Sequence, residues 1–79
     1  MNEILPTDSN SQRQRILAWL RERPLTTLQA RKELDIMHPA ARVQELRELG
    51  NRIITYWHVT HSDSGTKHRV GRYVLLANP

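Results

Sequence analysis

The chain has no cysteine among its 79 residues. Disulfide bridges and cysteine-ligated zinc sites are therefore excluded. A small domain without such staples suits a reducing compartment, and a cytoplasmic location is expected. No apolar run approaches the roughly 18 residues that a membrane-spanning helix needs, so no membrane association is expected. The opening "MNEILPTDSN" is acidic and leads into no apolar stretch, and no signal peptide is expected there. There is no glycine-rich phosphate loop. No carboxylates are paired at a spacing suited to acid–base work, and no nucleophile comes with a base and an orienting group. A chain of this length buries only roughly 60% of its unfolded surface, which leaves no room for a deep substrate cavity beside the core. No enzymatic activity, no cofactor and no metal site is expected.

What is present is basic charge, unevenly spread. The formal net charge is +4, from 12 Lys and Arg against 8 Asp and Glu. Residues 1–10 contribute −2 through Glu3 and Asp8, while residues 11–49 and 50–79 contribute +3 each. The last segment also holds His58, His61 and His68. Such a distribution suggests a polyanionic partner, the alternative being a solvated basic surface.

Residues 1–10 carry no sustained pattern, and Pro6, Asp8, Ser9 and Asn10 read as a flexible arm ahead of one domain over residues 11–77. A first helix follows. Ser9-x-x-Gln12 and Ser11-x-x-Gln14 both fit a capping box, and Ile16, Leu17 and Leu20 form an apolar stripe with Trp19 beside it. Pro24 ends this helix. Thr26-x-x-Gln29 is a third capping box, which opens a second helix over about 27–34 with Leu28 and Leu34 expected inward. Asp35 supplies an exit, since aspartate tolerates left-handed backbone, and Ile36 turns inward. Pro39 opens a third helix with Val43, Leu46 and Leu49 as its stripe, and Gly50 stops it. The turn between the second and third helices has helix-turn-helix spacing.

The period then changes. "RIITYWHVTH" and "KHRVGRYVLL" read as strands on either side of "SDSGT", a turn cluster. Ile53, Thr55, Trp57 and Val59 share one face of the first strand. The expected fold is mainly α with a β-hairpin: three helices followed by a two-stranded antiparallel wing, the order of a winged helix-turn-helix.

The stretches Leu25-Thr26-Thr27-Leu28, Ala30, Leu34, Asp35-Ile36-Met37 and Ala41-Arg42-Val43-Gln44-Glu45-Leu46-Arg47 with Gly50 resemble the small winged helix-turn-helix domains of phages and bacterial mobile elements. The resemblance covers roughly residues 12–57, and "AARVQELRELG" is its most specific part. Many such turns carry glycine where this chain has Asp35. The resemblance implies binding to double-stranded DNA, in a transcriptional regulator or a replication or excision accessory. A protein partner, or a homodimer, is the other expectation, because a winged helix can present the same surface to protein.

On that reading helix 39–49 enters the major groove, which admits one helix. His38, Arg42, Gln44 and Glu45 are the candidate base readers, since arginine pairs with guanine, glutamine with adenine, and glutamate accepts from cytosine. Ala40 and Ala41 are small and let the backbone approach the duplex. Two readings of Arg42 are open at this point, because an ion pair with Glu45 at i,i+3 would merely support the helix. The 61–70 wing is the second candidate contact, with Lys67, His68 and Arg69 on the DNA backbone; the alternative is an edge strand guarded by charge. Thr26 and Thr27 are candidate phosphate donors, or one of them is simply the N-cap. Trp19 and Trp57, placed beside Leu20 and Val59, are expected in the core rather than as base-stacking platforms, and Tyr73 likewise. His58 and His61 face opposite sides of a strand, which argues against a metal pair.

Overall fold

The computed structural model describes residues 8–77. Helix α1 (Ser9–Leu20) is capped by Asp8, whose carboxylate accepts from the Ser11 backbone N–H (3.0 Å) and the Ser11 hydroxyl (2.8 Å). The cap is thus neither of the serine boxes expected from the sequence. A carboxylate is the better acceptor at the positive end of a helix. Those hydrogen bonds, the backbone one foremost, hold the Asp8 carboxyl below its ordinary value of 3.8. Residues 1–7 of the expected arm lie outside the described residues, and its last two, Ser9 and Asn10, already belong to α1.

Beyond Leu20 the chain turns, and the Trp19 indole Nε1 donates to the Pro24 carbonyl (2.9 Å). Leu25 and Thr26 then form a short strand, β1, which the sequence reading missed. Two residues are too few to show a period. Helix α2 (Thr27–Glu33) starts with the expected capping box: Thr26 Oγ1 accepts from Gln29 N–H (3.0 Å) and Gln29 Oε1 accepts from Thr26 N–H (2.9 Å). Its buried residue is Ala30. Leu34 is half-buried, and Leu28 is 60% exposed rather than inward. The reason is angular: residues six apart are separated by about 120° around a helix and do not share a face.

Asp35 takes φ 54°, the left-handed exit, without glycine. The Ile36 N–H then donates to the Ala30 carbonyl (3.0 Å), and Ile36 is fully buried. Helix α3 (Pro39–Glu48) opens on a buried Pro39 and buries Val43 and Leu46. Leu49 is 70% exposed, contrary to expectation. It lies about 90° from the centre of the stripe that Pro39, Val43 and Leu46 define. Gly50, at φ 102°, closes the helix: its N–H donates to the Arg47 carbonyl and the Asn51 N–H to the Leu46 carbonyl, both at 3.0 Å.

The wing consists of β2 (Ile53–His61) and β3 (Lys67–Leu75), paired antiparallel from Ile53↔Leu75 to His61↔Lys67. Gly65 at φ 84° shapes the turn between them. β1 adds to the far side of β3 through Leu25↔Tyr73 and Thr26↔Arg72, so the sheet has three strands in the order β1-β3-β2, not the expected two.

The core joins Ile16, Leu20, Leu25, Ala30, Ile36, Val43, Leu46, Ile53 and Tyr73. Trp19 packs against it, half-buried. Trp57 does not, and at 56% exposure it overturns the expectation of a core residue. A ten-residue helix is about 15 Å long and a nine-residue strand about 30 Å. The outer half of the hairpin therefore overhangs the helical layer, and residues 56–61 are all exposed.

Candidate nucleic-acid interface

The overhang makes one wall of a cleft of about 510 Å³. The starts of α2 and α3 make the other. Thr27, Leu28 and Arg31 come from α2, His38 to Ala41 from the opening of α3, and Trp57, Arg69 and Gly71 from the hairpin. No aspartate or glutamate lines it, whereas Arg31, His38 and Arg69 do.

The hairpin wall is built around a glycine. Trp57 and Gly71 are register partners, and the indole covers the space a side chain would need: a Cβ on Gly71 would lie 3.2 Å from Trp57 Cζ3 and 3.1 Å from Thr27 Oγ1. The Arg69 guanidinium stacks 4.5 Å from the centroid of the Trp57 ring. That stacking fixes the direction of a charge which would otherwise wander in solvent. Lys67 and His68 are exposed at the tip. Arg72 lies 6.0 Å from the Tyr56 ring.

The two threonines have separate structural duties. Thr26 is the N-cap of α2. The Thr27 hydroxyl donates to the Gly71 carbonyl (3.2 Å) and ties α2 to β3.

On α3, His38 is exposed at the N-cap position and makes no capping hydrogen bond with its side chain. Ala40, Ala41 and Gln44 are exposed. Gln44 has only a long 3.5 Å contact with Arg47. Arg42 and Glu45 point elsewhere. Arg42 Nη1 donates to Ser9 Oγ (2.8 Å), Nη2 donates to Glu45 Oε2 (2.9 Å), and Nε lies 2.9 Å from Glu45 Oε1. Arg13 Nη1 reaches the same Oε1 at 2.9 Å. The i,i+3 pair is formed, and it belongs to a larger brace between α1 and α3. His38, Ala41, Thr27 and Arg69 thus come together at the cleft, whereas Arg42 and Glu45 lie in the brace.

Arg31 is not among the contacts expected from the sequence, and Trp57 is expected in the core, yet both line the cleft. The available signal was Gly71: a glycine in a strand marks a close approach. Arg47 was also passed over. Its Nε donates to the Ile53 carbonyl (2.8 Å) and its Nη2 to Thr55 Oγ1 (2.6 Å), which fastens α3 to β2. Among the described residues no group of three or more His, Cys, Asp or Glu could hold a metal ion, and no helix is long and apolar enough to cross a membrane.

No curated protein and no solved structure matches the chain. The sequence profile of the winged helix-turn-helix domain does match it, over residues 11–78. Helix order, the short turn between α2 and α3, and the hairpin beside α3 agree with that match, and the chain belongs to the winged helix-turn-helix domain family.

Proposed function

We propose that the domain binds double-stranded DNA without catalysing a reaction, with α3 in the major groove and the 61–70 wing along the backbone. The observation that carries this reading is the cleft: cations on both walls, no carboxylate in its lining, and two exposed alanines at the start of α3. His38, Ala41 and Gln44 are the residues we assign to base contact. Arg31, Lys67, His68 and Arg69 are assigned to phosphates. The free hydroxyl proton of Thr26 is available to a phosphate, while Thr27 positions the wall. Arg42 and Glu45 are assigned to bracing α3, not to reading. The resemblance to phage and mobile-element domains supports a role in a cytoplasmic transcriptional regulator or a replication or excision accessory.

Titration against duplex DNA at several salt concentrations tests the proposal. Neutralising about four to six phosphates gives a log–log slope of roughly −4 to −5. Affinity that is flat with salt, or absent at low salt, would overturn it. The second reading is a protein-binding module on the same surface, favoured by Leu28 and Met37, which are 60% and 72% exposed on α2 and the following turn. Absence of DNA binding at every salt concentration is the result that favours it.

A further inference from the structure

β2 is the outer strand of the sheet, and its backbone has two distinguishable sides. The Arg52 carbonyl accepts from the Leu76 N–H (2.8 Å), and the Ser62 N–H donates to the Thr66 carbonyl (2.9 Å). Even-numbered residues from 52 to 62 therefore turn their N–H and C=O groups toward β3. In an antiparallel ladder the alternate residues point the other way. Ile53, Thr55, Trp57, Val59 and His61 hold these groups outward.

Arg47 covers the inner end of that edge by donating to the Ile53 carbonyl and the Thr55 hydroxyl. No described strand lies beyond the rest. Open edges are ordinarily blunted by lysine, proline or a bulge. The segment "TYWHVTH" has no Lys, Arg, Asp, Glu or Pro, and the β2–β3 register runs without a bulge. The hairpin's cations, Lys67, Arg69 and Arg72, are all on β3. The strand itself therefore brings no lysine, arginine or carboxylate to a copy of itself between Thr55 and His61; Arg47 at Thr55 and Arg69 on Trp57 flank it. Two identical edges related by a two-fold axis also pair antiparallel with their donors and acceptors matched.

We propose that two copies of the chain associate through the outer edges of β2, joining their sheets into one continuous antiparallel sheet with three strands from each copy. The register that uses every outward residue from Thr55 to His61 sets Trp57 opposite Val59 of the second copy, and Thr55 opposite His61. The two His58 residues then face each other at the two-fold axis. The second copy is the occupant because the outward donors and acceptors from Thr55 to His61 match themselves about a two-fold axis, and β2 contributes no lysine, arginine, carboxylate or proline there to oppose its copy. This association is independent of the DNA reading and is formed without DNA.

Sedimentation of the full chain in the absence of DNA, from about 5 µM to about 500 µM, tests it. The chain should pass from monomer to dimer across that range. Val59→Pro removes an outward N–H without touching the β2–β3 ladder, and Val59→Lys places a guard charge on the edge. Both variants should remain monomeric at the highest concentration, with unchanged circular dichroism. Because the chain has no cysteine, His58→Cys adds a single thiol per copy. Facing residues at the axis form a non-hydrogen-bonded pair about 4.5 Å apart at Cα, within disulfide reach, so mild oxidation should give a covalent dimer. Thr60→Cys, off the axis, should crosslink at least tenfold more slowly. A wild-type chain that stays monomeric throughout overturns the proposal and leaves the edge to another protein's strand. A dimer that persists in both Val59 variants also overturns it, and failure of His58→Cys to crosslink overturns the register.

Discussion

Trp57 lies across Gly71, its partner in the register, so closely that an added Cβ would sit 3.2 Å from Cζ3. The glycine there serves space, not backbone conformation. Gly71→Ala must push both the indole and the Thr27 hydroxyl back by a few tenths of an ångström. The indole is half exposed and can lift away, so the stability cost should be small, about 1 kcal/mol by chemical denaturation. The larger effect falls on the cleft, because the indole that Arg69 stacks on must shift with it. DNA affinity should fall by more than the stability change explains.

Glu45 holds two arginines from two helices. Glu45→Gln keeps the shape but discharges both pairs, and should cost about 1 kcal/mol of stability, since the three side chains are only partly shielded from water. Arg42→Ala should destabilise by a similar amount, read as a lowered melting temperature. Its effect on preferred and scrambled duplexes should be equal. A changed preference at one base pair would return Arg42 to the role of a reader.

Replacing Lys67 and Arg69 together with alanine should weaken binding to all duplexes about equally and make the salt slope shallower by roughly 1 to 2 units. The melting temperature should hardly move, because both side chains are exposed. Unchanged affinity would return the wing to a solvated edge.

The Asp8 cap predicts a pH dependence. Ser11 hydrogen bonds lower the carboxyl's value in the folded state, so the folded protein releases this proton more readily than the unfolded chain. The stabilisation is complete above the ordinary value of 3.8 and is lost as pH falls through the lowered value. Thermal melts of Asp8→Asn against the parent should differ most at neutral pH and converge as the pH falls well below the ordinary carboxylate range.

Gln29, Asp35, Pro39 and Gly50 were legible in the sequence because each acts on its immediate neighbours: a cap, an exit, a start, a stop. Val43 and Leu46 followed from period alone, and Ile36 from its place just after the Asp35 exit. Trp57 and Tyr73 show where local reading ends. Both are aromatic residues in strands, yet one is 56% exposed and the other 3%. What separates them is how far the helical layer reaches, which no window of sequence contains. Arg42 presents the same difficulty, since its partner Ser9 lies 33 residues away. The third strand escaped because β1 has two residues and exists only through its pairing with Tyr73 and Arg72.

Arg47 and Thr27 have a joint consequence. One clamps α3 to β2, the other clamps α2 to β3. The opening of α3 and the hairpin are thereby the fixed jaws of a calliper. In the DNA complex proposed above, fixed jaws register a distance, from the floor of the major groove to the neighbouring backbone. A duplex whose groove is too wide or too narrow must bend or twist to seat in them, at a cost set by its own stacking. Target choice then extends to base pairs that no side chain touches.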